Sequence, residues 1–287
     1  FCASSSVSVP VKLNWIRLPF FRQNTRTSAA SFFSLSGVEQ ALEARGYSLA
    51  FTSTYYDLKY KDTLMSTFSK PVSGLILMET LDSQTYNYVR AKVPCCVGVD
   101  TLHTDIDNVG YDHFAAACQA TRHLVDLGHR RIAYIGGSGL SRNIKTSRRY
   151  WGYRSVIEAA GLPVDDALVR DCLWDELICI EQVKAIMALS ADRRPTAIFC
   201  GSDLMAIAAL SGLYSLHIQI PNEVAVIGLS DIELSQVSCP PLSTIHVPTV
   251  EIGVAAVAAL ERRLKGGEQL PQSIYLPTEL VKRSPTN

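Results

Sequence analysis

The sequence predicts an α/β protein made of two doubly wound parallel-sheet lobes with a ligand cleft between them. Three observations lead there. Strand-like and helix-like segments alternate along the whole chain, which favours mainly parallel sheets. The strand-like runs, such as VSGLILM at 72–78 and TAIFC at 196–200, are apolar without alternation, as strands covered on both faces are. The alternating series also occurs twice, with similar length and layout and no low-complexity linker between the copies. Several short strands are therefore expected to cross between lobes. A chain of 287 residues is long enough for two lobes of ordinary size.

Each element follows from local signals. VKLNWI (11–16) reads as the first strand, and RLPFFRQNTRTSAAS as an irregular loop in which Phe20 and Phe21 are placed at the cleft mouth. A helix from 28 to 45 puts Leu35, Val38 and Leu42 on one face, and Gly46 suits the left-handed residue that ends many helices. YSLAFT (47–52) is a strand, 59–69 a polar helix, 72–78 a buried strand and 82–91 a helix. VPCCVGVD (93–100) is the fourth strand and ends on a carboxylate. The second series opens with a helix from 112 to 127, with Phe114, Ala117, Cys118, Thr121, Leu124 and Val125 at helical spacing. RIAYIG (131–136) is a strand that stops at Gly136-Gly137, and a basic loop leads to a helix bearing Tyr153, Val156, Ile157 and Ala160. A short strand at 167–171, a helix at 175–190, the strand at 196–200 and a helix at 203–216 follow. EVAVIGLSD (223–231) is a strand, PPLSTI (240–245) a crossover, 250–264 a helix and QSIYLPTEL (272–280) the closing strand.

Composition bounds the function. Hydrophobic residues make up 47% and charged residues 19%, with formal net charge zero, so no global field draws the chain to nucleic acid or membrane. These residues are not expected to grip DNA themselves, because a DNA-binding domain leaves a basic footprint. No run reaches the ~18 apolar residues of a membrane span. The opening FCASSSVSV lacks the basic start of a signal peptide. A start at Phe rather than Met suggests a fragment. Eight scattered cysteines, with no CxxC pair and no zinc spacing, suit a reducing, cytoplasmic setting. No GxSxG elbow, P-loop or HExxH occurs, and GGSGLS at 136–141 misses the third glycine of the dinucleotide fingerprint. Neither an enzyme, a metal site nor a cofactor is expected.

Polar residues stand just past several predicted strands: Asp100, the 138–149 loop, Ser202 with Asp203, and Ser230 with Asp231. In a two-lobe molecule these converge on one cleft, where carboxylates and an arginine can grip vicinal hydroxyls or a carboxylate. Taken singly, Asp203 reads equally well as a helix cap and Asp231 as a turn cap. Arg142, Lys145, Arg148 and Arg149 offer either a clamp for an anion or sugar or a solvated face. Trp174 offers either a stacking face or a plug of the lobe surface. His123 and His129, at a helix end, suit structural roles.

ATRHLVDLGHRRIAYIGG (120–137), VSGLIL (72–77), SRRYWGYRSVIEAAGL (147–162), IPNEVAVIGLSD (220–231), PPLSTIHVP (240–248) and LPTELVKR (276–283) together resemble the lac-repressor/gal-repressor (LacI/GalR) family of bacterial transcription regulators. The resemblance implies a core like the periplasmic sugar-binding proteins (type I). It implies an N-terminal lobe of 1–111 plus 246–275 and a C-terminal lobe of 112–245 plus 276–287. It further implies a homodimer that senses a small-molecule effector, likened to a sugar, and reaches operator DNA through a helix-turn-helix absent from this chain, with no membrane partner. By position, Asp100 matches the family's cleft aspartate, Arg149 the effector-binding arginine and Trp174 the stacking aromatic. Ser202 stands where many sugar-responsive members have Asn, and Ser230 where many have Asp or Asn; Asp203 and Asp231 follow them. These serines depart from a simple hexose site. Ala30 and Ser31 replace aromatics that some members use at the first helix, which implies a roomier pocket. The competing expectation is a solute-binding protein of a sugar transporter.

Overall fold

The computed structural model describes residues 12–16, 29–53, 72–78, 80–138, 143–266 and 270–286. Side chains at 12–16, 29–34, 50–53 and 285 lie outside the description, as do the expected helix at 59–69 and the Phe20-Phe21 pair. The chain divides into two compact units: Phe1–Thr25, Ser31–Gly110 and Thr249–Leu276 form one, and Arg26–Ala30, Tyr111–Pro248 and Pro277–Asn287 the other.

The first unit holds a six-stranded sheet of β1 (Lys12–Ile16), β2 (Ser48–Ser53), β3 (Gly74–Leu77), β4 (Cys96–Val99), β5 (Asp107–Tyr111) and β11 (Ser273–Leu276). Its order is β2-β1-β3-β4-β5-β11, and β1 to β5 pair parallel throughout. GLIL of β3 and CVGV of β4 are buried at every position, so the sheet is covered on both faces, as parallel sheets are. Helix α1 (Ala29–Ala44) buries Leu35, Val38 and Leu42, the face expected from their spacing. Helix α2 (Ser83–Lys92) starts where the Asp82 carboxylate accepts from the amides of Gln84 and Thr85, both at 3.0 Å. Strand β5 was not anticipated, because DNVGY is short and mostly polar. Its Asp107 is fully buried and bonded to Arg262, Arg263 and the amide of Gln272. Those arginines end helix α8 (Thr249–Leu264), so one carboxylate ties a strand, a helix end and the edge of the sheet together.

The second unit repeats the plan. Strands β6 (Ile132–Gly136), β7 (Val169–Asp171), β8 (Ala197–Cys200) and β9 (Ala225–Ile227) form a parallel sheet in the order β7-β6-β8-β9. Its helices are α3 (His113–Asp126), α4 (Arg148–Ala159), α5 (Glu176–Met187), α6 (Asp203–Ser215) and the short α7 (Glu233–Val237). Helix α3 buries Ala116, Ala117, Ala120, Thr121, His123 and Leu124, while Phe114 stands exposed. The buried stripe is thus rotated from the expected one, which gave too much weight to Phe114. Small residues face α4 because the helices meet closely: a Cβ on Gly152 would lie 2.4 Å from the carbonyl oxygen of Phe114. Beneath them Tyr134, Tyr150, Tyr153 and Phe199 form a buried aromatic core, with Tyr134 centroids 5.5 Å from Tyr153 and 5.4 Å from Phe199.

The two sheets are mainly parallel, as expected, and a small antiparallel pair is added to them: β10 (Thr244–His246) and β12 (Glu279–Val281), with Ile245 opposite Leu280. One expectation needs correction: the single closing strand at 272–280 is two strands. Pro277 lacks an amide donor and interrupts the ladder, so β11 joins the first unit and β12 the second. His123 and His129 take structural roles, bonded to the hydroxyls of Thr286 and Thr196, each at 3.0 Å.

Candidate functional site

In the second unit β6 has β7 on one side and β8 on the other. The order reverses there, so the C-terminal ends of β6 and β8 flank the crevice where open α/β sheets take ligands. Strand β6 ends in Gly136-Gly137, and β8 runs into Gly201-Ser202. The indole of Trp174 lies across both turns: a Cβ on Gly137 would sit 2.4 Å from its ring, and one on Gly201 3.2 Å away. The approach demands glycine at 137 and leaves only tight room for a methyl group at 201. Asp171 sets the ring's place, accepting from the amides of Ser138 at 3.1 Å and Leu173 at 2.9 Å. Leu173 and Trp174 have φ of 55° and 60°, two successive non-glycine residues in the left-handed region. Such strain persists only where the surroundings hold it, commonly at ligand sites.

Arg149 reaches the same place from the first turn of α4. Ser147 caps that helix, its hydroxyl accepting from the Arg149 amide at 3.3 Å. The guanidinium donates to the Tyr111 hydroxyl at 2.7 Å and lies 5.3 Å from the Trp174 ring centre, a cation–π distance. The neighbouring Arg148 pairs instead with Asp112 at 3.0 Å. Arg142 lies outside the described residues.

The four remaining predicted residues of this unit divide by role. Ser202 is half-buried and caps α6 through a 3.4 Å bond from the Met205 amide. Asp203 is buried, accepting from Thr244 Oγ1 at 2.5 Å and the Ile232 amide at 2.9 Å. Burial pushes its carboxyl up to about 6, against the pull of those two donors. Ser230 has φ of 131° and donates its amide to Ile245 at 2.8 Å. Asp231, with φ of 55°, accepts from Arg283 at 2.8 Å, from Ser235 at 3.3 Å and lies 3.0 Å from His246 Nδ1. Burial alone would raise its pKa, but Arg283 and His246 win and hold it below the ordinary carboxylate range. Asp203 and Asp231 therefore hold the 228–232 turn against β10 and β12.

In the first unit Asp100 follows β4 with φ of 52°, its carboxylate packed against Gly110. Ser31 lies in α1 with its side chain outside the description. Of the six described non-glycine residues at positive φ, four are predicted site residues: Asp100, Trp174, Ser230 and Asp231. The sequence reasoning missed Tyr111, Tyr134, Asp171 and Arg283. Only Asp171 carried a signal, a carboxylate ending a predicted strand.

The model of the periplasmic binding protein-like domain matches residues 121–286. The HTH-type transcriptional repressor PurR of Aliivibrio fischeri is 31% identical over 259 residues, covering 87% of this chain and 75% of the relative. The chain belongs to the LacI family of transcriptional regulators. The ribose operon repressor of Escherichia coli is likewise 31% identical over 263 residues, covering 89% of this chain and 78% of that one. Among solved structures, the regulator CcpA of Lactococcus lactis shares the fold at 23% identity and a TM-score of 0.82, covering 97% of this chain and 100% of that one. This LacI-family chain is a ligand-binding regulatory domain, and the transporter alternative is not favoured.

Proposed function

We propose that the chain is the effector-sensing core of a cytoplasmic transcriptional repressor that works as a homodimer and catalyses no reaction. Its operator contacts are made through a helix-turn-helix outside these residues, and the two units serve as the lobes of the sensor. The observation that carries this reading is the Arg149–Trp174 pair at the strand-order reversal of the second unit. A flat aromatic face beside a fork of donors suits a sugar-like ligand, whose C–H face stacks and whose hydroxyls bond. Ser202 and Ser230 add hydroxyls at neighbouring strand ends, and Asp100 and Ser31 are assigned to the first unit's share of the site. The repressor names of the relatives support the regulatory role. An effector shifts such a protein only through its different affinity for two conformations.

A thermal-shift screen of sugars and sugar derivatives tests the reading. A ligand at ~100 Kd adds ~2.7 kcal/mol to folding stability. Arg149→Ala is expected to abolish the shift of whichever compound stabilises the parent. An equal shift in the variant removes Arg149 from the site.

A further inference from the structure

We propose that Cys172 and Cys179 form a redox switch: peroxide joins them in a disulfide within one chain, and the cross-link displaces Trp174 from its place in the site. The effector reading above enters only in what the switch controls, and the test is read without an effector.

The two cysteines bracket the strained turn of the site. Cys172 follows β7 directly, and Cys179 lies seven residues on, in α5. Leu173 and Trp174, both at positive φ, stand between them. The Asp175 amide closes the turn on the Cys172 carbonyl at 2.9 Å, and the Asp175 carboxylate caps α5 by accepting from the Ile178 amide at 2.9 Å. Cys172 is also tied to the end of β6. Its amide at 2.7 Å and its thiol at 3.1 Å both donate to the Gly136 carbonyl.

The sulfurs converge on Met205. Cys172 Sγ lies 3.2 Å from Met205 Sδ, and Cys179 Sγ lies 3.3 Å from the Met205 carbonyl oxygen. The two thiols also hydrogen-bond each other. That bond draws the Cys172 thiol below its ordinary value against the rise from burial, and it raises Cys179, with burial adding to the rise. Elsewhere burial pushes Cys96 up to about 11 and raises Cys118 and Cys200. The thiolate is the form that attacks. Cys172 is therefore the attacking sulfur, and Cys179, which keeps its proton, the resolving one.

One peroxide balances the reaction. The Cys172 thiolate attacks an oxygen of hydrogen peroxide, the O–O bond breaks, and the departing hydroxide takes up the proton that Cys172 lost. A sulfenic acid so formed condenses with a neighbouring thiol. Cys179 Sγ attacks Cys172 Sγ, the S–O bond breaks, and hydroxide leaves with the Cys179 proton as water. Two thiols and one peroxide give one disulfide and two waters; the sulfurs are oxidised and the peroxide oxygens reduced. Both side chains are buried, so the reaction waits on local opening. The segment between them is already strained at two residues, which favours opening there. The S–S bond, about 2 Å long, then pulls Cys172 Sγ from the Gly136 carbonyl. Trp174 has no slack to absorb this, because its ring is packed on Gly137 so closely that a Cβ there would lie 2.4 Å away.

The test treats the folded chain with hydrogen peroxide, blocks the remaining thiols with iodoacetamide and cleaves with trypsin. Arg170 and Lys184 bound the peptide DCLWDELICIEQVK, which holds Cys172, Cys179 and no other cysteine. It is expected without the alkyl label and lighter by two hydrogens than the reduced peptide, and dithiothreitol should reverse the change. Trp174 is followed in a Trp15→Phe, Trp151→Phe background, where it is the one remaining tryptophan. Its emission maximum, rather than its intensity, is read, because a disulfide quenches indole directly. The maximum should shift on oxidation, return on reduction and stay fixed in Cys179→Ala. A pair that stays reduced while the exposed Cys239 oxidises overturns the switch. So does a disulfide that forms only in urea, or one that joins Cys172 to Cys200. A Cys172–Cys179 disulfide that leaves the Trp174 maximum unmoved overturns the link to the site. None of these outcomes needs an effector, so the effector reading stands or falls separately.

Discussion

Asp203→Asn should change how stability depends on pH. The Asp203 side chain is buried, and its carboxyl sits at about 6 instead of the ordinary 3.8. The folded pKa lies above the unfolded one, so between the two the native state binds more protons. Stability is then fully present below about pH 4 and falls until about pH 6, with a plateau above. The gap is about two pH units, and at ~1.36 kcal/mol per unit the loss is roughly 3 kcal/mol. Asparagine removes the charge and keeps the shape. Its oxygen can accept from the Ile232 amide while its amino group donates to Thr244, whose hydroxyl can turn to accept. Urea unfolding of parent and variant from pH 4 to pH 7 isolates the effect, because other titrating groups cancel in the difference. The difference should move in favour of asparagine by roughly 3 kcal/mol as pH rises. A difference that moves by less than about 1 kcal/mol refutes the argument, since it means the folded carboxyl ionises as easily as the unfolded one.

Three further outcomes are expected. Burial holds His123 neutral, lowering its pKa. That costs nothing above the unfolded value of about 6.5, and stability is lost as pH falls below it; His123→Gln, which can keep the Thr286 bond, should flatten that acid limb in urea unfolding. Gly137→Ala puts a methyl group 2.4 Å from the Trp174 ring. The ring must move, so indole fluorescence should shift, effector binding should fall, and stability should drop by about 1–3 kcal/mol; unchanged fluorescence argues against the stacked position. Arg283→Leu removes a guanidinium that serves Asp231, Ser235 and the Leu242 carbonyl. Stranding a mostly buried carboxylate costs about 3–5 kcal/mol, and with His246 still beside it chemical denaturation should show the lower end.

Much of the fold was legible because its signals are local. Unbroken apolar runs at 72–78, 131–136 and 196–200 mark buried parallel strands, and Gly46, Gly128 and Gly161 end helices with positive φ. What was not legible is tertiary. DNVGY became β5 only because Asp107 finds Arg262 and Arg263, some 155 residues on. Phe114 matched the periodicity of α3 but lost its place to alanines, because α4 comes too close for a large side chain there. In the site, strand ends pointed to Asp100, the 138–149 loop and the 202–203 and 230–231 pairs, and the family resemblance singled out Arg149 and Trp174, but nothing local told which aspartates were held from behind. Thr244 and Arg283, which occupy Asp203 and Asp231, lie 41 and 52 residues away from them.

The acids and the other site groups of the second unit therefore divide the work. Asp171, Asp203 and Asp231 act on backbone amides, hydroxyls and a half-buried arginine, and they hold residues 171–174 and 228–232 in turns that include Leu173, Trp174, Ser230 and Asp231 at positive φ. Such conformations cost about 1–3 kcal/mol each, so a substitution that removes the hydrogen bonds holding them releases the turns. Arg149, Trp174, Ser202 and Ser230 carry fewer such duties and are the positions where side-chain chemistry can change with the backbone intact. This predicts a separation in mutants. Changes at Asp171, Asp203 or Asp231 that remove these bonds, such as alanine, should alter stability and binding together. Changes at Ser202 or Ser230 should alter the choice of ligand at nearly constant stability, because the alternative caps Asn and Asp keep the Ser202 helix start within about 1 kcal/mol. A set of Ser202 and Ser230 variants whose melting temperatures fall in step with their affinities would mean that these serines are structural too.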